Sequence, residues 1–473
     1  MLIYLKIYIF MNMAQVLDTQ QKTAFLGRDN LFPLLLKMGI PAAIGMLVNA
    51  LYNVVDTIFV GHGVGPLAIA ALSIVFPIQM IVSSLAQAIG VGSASIVSRR
   101  LGEKREADAA KTVGSAYASI AIITAVLASL VMLFKRPILG FFGASEAIMP
   151  IAMDYISVVT PGFFFFACSL SMSSLVRAEG NARASMIGMM IGALLNVALD
   201  PLFIFGFGMG VRGAAIATII SQIVSFSYFF FLYASKRTNI SIRFKEIRVR
   251  WKILQEAMVL GTPAFIQSAG MSLLALIMNN SLGFYGGDQA ITVYGMINRL
   301  NMLVIFPILG MAQGFQPIIG YNYGAHRYDR VRRAILVTML TVLGISTFFY
   351  AFIMLVPRTI MGMFTSDPST LDLSSGVIRI MILFIPLAAI QIIGSTYFQA
   401  VGRKTQSLLL GVSRQFIILM PLILILPRFF GIMGIWSSFP IADLLSTLLT
   451  SSLLIRELRH LDDKQAAHLA SGS

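Results

Sequence analysis

The sequence predicts an all-α integral membrane protein: twelve transmembrane helices arranged as two homologous six-helix bundles. Three observations carry that expectation, namely an apolar excess, twelve apolar runs of spanning length and an internal repeat. Of 473 residues, 57% are hydrophobic and only 12% are charged, about half the ~25% charged of a soluble protein. The mean hydropathy is +0.84. These values exclude a soluble multidomain enzyme, a disordered chain and a disulfide scaffold. With ~20 apolar residues per span, the length accommodates about a dozen helices.

The runs fall, in order, at about 32–60, 67–97, 110–134, 147–176, 184–205 and 210–235, then at about 253–284, 289–319, 334–357, 374–400, 405–427 and 431–455. Between them lie glycine-rich breaks (GHGVGP, GFGMGVRG, YGGD) or charged ones (SRRLGEKREADAAK, HRYDRVRR), the residues that end helices and form turns. The first ten residues, MLIYLKIYIF, are too short to span and carry no small-residue cleavage site; Met11 and Met13 are alternative starts. The expected organisation is an N-terminal cytoplasmic segment (1–30), a first lobe (31–235), a basic linker (236–252), a second lobe (253–456) and a cytoplasmic tail (457–473).

The net charge of +15 reads as the excess of basic residues on cytoplasmic loops rather than as a nucleic-acid surface. The loops after odd-numbered spans carry only Lys135, Arg136, Arg212, Arg358 and Arg428. Most other basic residues lie at the N-terminus, in the loops after even-numbered spans and in the tail, which places both termini in the cytoplasm. The lone cysteine, Cys168, precludes an intramolecular disulfide. His62, His326, His460 and His468 are scattered, and no HExxH, CxxC or GxxxxGK[ST] motif is present. No cofactor and no enzymatic activity is implied.

MGIPAAIGM at 38–46 answers LGTPAFIQS at 260–268, and Gly39, Pro41, Gly61 and Gly65 match Gly261, Pro263, Gly283 and Gly287, all 222 residues apart. RAEGNARAS resembles QAVGRKTQS at the same offset. Pro201 matches Pro421, and GVRG matches GIMG, at 220 and 221. Two halves with six spans each enter the membrane from the same side, so they are related by an axis along the membrane normal, and rocking one against the other gives alternating access.

Ionisable residues inside spans are costly, roughly 2.5–3.5 kcal/mol for a central aspartate on insertion scales. Asp56 and Asp200 lie five and six residues before the glycines that end spans 1 and 5, hence at similar depth near the outer side. Asn196 is one turn from Asp200, Tyr52 one turn from Asp56, and Thr218 lies in the outer half of span 6. Pro201 frees the carbonyl of Val197. This hard-oxygen set suits Na+ or a shared proton; the competing reading is a helix kink satisfied by local hydrogen bonds. At the matching second-half positions stand Met278, Phe416, Met420 and Phe439. Joint loss of all four polar groups points to one ion site, in the first half. Arg299, Arg414 and Asp443 form a second-half group read as a buried pair or triad. Gln267, Asn279, Asn298 and Gln313 are candidate substrate-cavity residues. The Phe163–Phe166 run reads as packing.

The six-plus-six repeat, Pro41 and Asp56 in the first span, the RRLGEK loop, LVRAEGNARAS and NVALDPLFIFGFGMGVRGAAIAT resemble the multidrug and toxic compound extrusion (MATE) family, and among its branches the MepA-like bacterial exporters. The likeness runs from Asn30 to about Arg456. It implies a secondary antiporter of the bacterial cytoplasmic (inner) membrane, acting as a monomer, that expels small cationic amphipathic drugs in exchange for Na+ or H+. It also implies that the ion meets Asp56, Asn196, Asp200 and Thr218 beside Tyr52, and that the first helix bends at Pro41. Acids found in the second half of another branch are replaced here by Met271 and Ile390. The alternatives are a flippase for lipid-linked precursors, opposed by the first-half acids, and an intramembrane enzyme, for which the sequence holds no catalytic pair.

Overall fold

A computed structural model of the chain describes residues 23–471 apart from 236, 237, 241 and 243. Most of the expected N-terminal segment, with both alternative starts, lies outside the described residues. Within them the regular structure is entirely helical. The first half contains α1 (Leu31–Gly63), α2 (Pro66–Gly102), α3 (Glu106–Leu133), α4 (Met149–Ala178), α5 (Ala182–Gly206) and α6 (Gly210–Ala234). A continuous stretch, Trp251–Gly324, is broken at Gly287 into α7 (251–286) and α8 (288–324). Then follow α9 (Tyr328–Leu355), α10 (Pro368–Met381 with Ile385–Ala400), α11 (Lys404–Phe430) and α12 (Ile432–Ser471).

Helices α9, α10 and α12 depart from the expected bounds by six residues or more, α9 starting at Tyr328 rather than near 334. Helix α10 starts at Pro368 rather than near 374 and bends by 47° between its segments. Its start is set by polar chemistry that hydropathy does not register: Asp367 caps it, Oδ2 accepting from the Thr370 amide at 2.8 Å, with proline in the first helical position. Helix α12 runs on to Ser471, well beyond 455, because the charged stretch after the span is still made of good helix formers.

The repeat is written into the backbone. Left-handed conformations recur at equivalent positions of the two halves: Gly65 and Gly287, Lys104 and His326, Gly180 and Gly402, Gly210 and Gly431. At Gly65 and Gly287 the chain reverses between two long helices with φ of 110° and 63°, which glycine adopts without steric cost. Helices α5 and α11 each contain a π-helical stretch, Leu202–Gly206 and Ser413–Leu419.

The chain divides into two compact units whose borders cut through helices. The first holds 44–261 with the described residues before Asn30; the second holds 30–43 and 262 onward. Helix α1 thus begins in the second unit and ends in the first, and α7 begins in the first and ends in the second. Inside the second unit, the start of α1 packs on α8 with no room for a Cβ at Gly310, against Ala43, or at Gly314, against Gly39. Inside the first unit, the start of α7 packs on α2 in the same way, Gly92 against the Ala257 carbonyl and Gly261 against that of Ala88. Small residues permit this backbone approach. Arg99 Nη2 adds an ion pair to Glu256 Oε1 at 3.0 Å.

Candidate functional site

Asp56 comes from the C-terminal part of α1, and Asp200 from the end of α5, just before Pro201 and the π-helical turn. Asp200 is fully buried and Asp56 half-buried. The two carboxyls lie within hydrogen-bonding reach of each other. Each keeps one enclosed oxygen, Asp56 Oδ1 and Asp200 Oδ2, that no donor among the described residues reaches. Asn196 sits one turn before Asp200, so its side chain shares the same face. Its Nδ2 donates to Asp200 Oδ1 at 3.2 Å and to Thr218 Oγ1 of α6 at 3.4 Å. Four residues from three helices, Asp56, Asn196, Asp200 and Thr218, therefore meet in one cluster inside the first unit.

Next to the cluster is a cavity of about 70 Å³ whose walls include Asn49, Tyr52, Ser169, Asn196, Thr218 and Gln222. A water needs only about 10–15 Å³ of such space, so the cavity has room for a few waters or a partly hydrated ion. Ser169 Oγ, Gln222 Oε1 and Asn196 Oδ1 are buried without a hydrogen-bond partner among the described residues, and buried polar groups of that kind call for a guest. The enclosed atoms are dominated by oxygen acceptors. Such a pocket favours a proton shared between the acids or a small hard cation.

Tyr52 lines the cavity. Pro41 lies within an α1 that stays helical through it, two residues before the border between the units. Gln267, Asn279 and Asn298 are exposed on α7 and α8, and Gln313 is half-buried; none of the four lines the cavity. Arg414 pairs with Asp443, Nε to Oδ1 at 2.6 Å, but Arg299 is exposed and takes no part, which reduces the expected triad to a pair. Phe164 and Phe165 pack on Phe226, as a packing role requires, while Phe166 forms a cavity wall.

The sequence reading missed Gln222, Ser169 and Tyr155. Gln222 was legible: Thr218, Ser221, Gln222 and Ser225 follow the i, i+3, i+4, i+7 spacing of one helix face, and all four line the cavity. Tyr155, on α4, is buried near both acids and bonded to Gln79; one tyrosine in an apolar run gives no such signal.

Among the described residues, twelve apolar helices in two repeated halves, with a pair of adjacent carboxyls enclosed in the first, define a polytopic membrane transporter. The MatE family model matches residues 41–202 and 263–425, once in each half, and the chain belongs to that family. It is 28% identical to the multidrug export protein MepA of Staphylococcus aureus, over 91% of this chain and 95% of the relative. Its fold is similar to that of a crystal structure of MATE in the bent conformation, with a TM-score of 0.88, 27% identity, and 94% and 99% of the two chains covered. It is also similar to a structure of the MATE multidrug transporter DinF-BH, with a TM-score of 0.83, 38% identity, and 91% and 96% covered.

Proposed function

We propose that this transporter exports small amphipathic cationic drugs across the bacterial cytoplasmic (inner) membrane as a monomer with both termini inside, in exchange for Na+ or H+. The observation that carries the reading is the enclosed pair Asp56–Asp200, tied through Asn196 to Thr218 and opening on a polar cavity. Two adjacent carboxylates repel, and a bound cation or shared proton relieves the repulsion. Loading from the outside neutralises the cluster and lets α1, α5 and α6 repack, with α1 flexing near Pro41. Unloading toward the cytoplasm restores the charge. Linkage then requires ion and drug to weaken each other's binding by the same factor. Export of drugs is supported by the relatives MepA and DinF-BH, whose names describe multidrug export and multidrug transport.

The test is transport in proteoliposomes with Na+ and pH gradients imposed separately. Asp56→Asn and Asp200→Asn insert normally and lose drug-dependent ion exchange. Wild-type rates in either variant, or transport indifferent to both gradients, refute the assignment.

A further inference from the structure

The second unit carries a charged pair that the coupling site does not use. Arg414 lies at the start of the π-helical stretch of α11, and Asp443 lies eleven residues into α12. Arg414 Nε donates to Asp443 Oδ1 at 2.6 Å, and the side chains are 30% and 2% exposed. The acid is therefore sealed behind its base. Nε is the inner edge of the guanidinium; its outer edge, Nη1 and Nη2, makes no hydrogen bond among the described residues. Counting ~1.5 Å per residue, both groups lie near the middle of their spans. A guanidinium exposed at that depth does not face lipid tails; it faces a bundle interior or a water-filled space.

An aromatic pair lies nearby. Tyr294 of α8 is near enough to Arg414 to feel its charge, and its ring packs on Phe439, one turn before Asp443, at 6.1 Å between centroids. The first half has no counterpart to the pair. At the offsets of the terminal repeat, Arg414 answers to Leu194 and Asp443 to Gln222. The Asp56–Asp200 pair and the Arg414–Asp443 pair therefore each stand in one half without an equivalent in the other.

A planar fork with two free N–H groups, oriented by a carboxylate on its third, matches a carboxylate in bidentate fashion, which a lysine does not. A purely cationic compound gains nothing there, because the group it meets is the cation and not the acid. A zwitterion adds no net charge to a pair that is itself neutral. We propose that Arg414 is a recognition point for the carboxylate of zwitterionic aromatic amphipaths, with Asp443 as its positioning residue. This deepens the export reading and rests on it.

The experiment uses two xanthene dyes that differ at one group: a cationic rhodamine whose carboxyl is an ethyl ester, and its zwitterionic free acid. Arg414→Gln alone strands Asp443, so the variants are Arg414→Lys, which keeps the charge, and the double change R414Q/D443N, which removes both charges. In proteoliposomes the double variant raises KM for the free acid about tenfold, the worth of one charge-assisted contact, and R414K raises it several-fold. KM for the ester stays within about twofold in both. Equal losses for the two dyes, unchanged transport of both, or a wild type that carries the ester but not the acid overturns the inference alone. A wild type that carries neither dye overturns the export reading and this inference with it.

Discussion

At the scale of single residues, Asn196 is the centre of the cluster. It holds Asp200 at 3.2 Å and Thr218 at 3.4 Å with the same nitrogen, so its loss frees an acid and a hydroxyl together. Asn196→Ala is expected to raise the half-saturating ion concentration about tenfold, a hydrogen bond to a charged acceptor being worth about 1.5–3 kcal/mol. Thr218→Val, removing only the longer contact, costs a few-fold. Transport rate against Na+ concentration and against pH gives both numbers, and a larger effect for Thr218→Val contradicts the geometry. Asp56, Asn196, Asp200 and Thr218 were legible as polar residues at matched depth with apolar partners in the repeat. Their mutual contact was not, because residue counting gives depth along a helix but not which face its neighbours present. The same limit explains Arg299: three charges near one level read as a group, and only the packing shows that two of them pair.

At the scale of elements, the segment joining α6 to α7 is fastened to the first unit at two places. Glu179, in the turn between α4 and α5, is fully buried and accepts from Tyr233 Oη at 2.7 Å and from the amides of Asn239 and Ile240 at 2.9 and 3.2 Å. Farther on, the Arg250 amide donates to Ser115 Oγ at 3.0 Å, and the backbone at Glu246 fills the space left by Gly114. Burial pushes the Glu179 carboxyl up to about 8 from an ordinary 4.5, against the opposing pull of its three donors. A raised carboxyl favours docking when protonated: its stabilisation is complete below about pH 4.5 and is lost as pH rises through about 8. Hydrogen exchange at Asn239 and Ile240 should therefore accelerate on going from pH 6 to 9, after correction for intrinsic rates. In Glu179→Gln the corrected rates should stay flat; a parallel rise there removes Glu179 as the cause. Nothing in the sequence marks this fastening, since its partners are about 60 residues apart and the linker composition reads only as basic.

At the scale of the whole molecule, the sequence disclosed the twelve helices and their duplication, because both rest on long apolar runs and on glycines at a fixed offset. It did not disclose that Lys104 and His326 share a left-handed backbone, since neither is a residue type that announces one. Nor did it disclose where the compact units divide. The helix crossings that define them are equivalent: Gly39 and Gly261, Gly92 and Gly314, and Ala88 and Gly310 stand 222 residues apart in α1, α7, α2 and α8. Gly261→Val or Gly314→Val forces backbone apart at such a crossing, and overpacking of this kind costs about 1–3 kcal/mol or more. Each should lower the midpoint of thermal unfolding in detergent by several degrees, with Gly344→Val, where nothing crowds the added carbon, as the control; equal behaviour of all three discounts the crossings. The exchange of helix halves at Ala43 and Gly261 also bears on whether either copy stands alone. With the opening of its leading helix belonging to the other compact unit, neither duplicated copy is self-sufficient as a folded body.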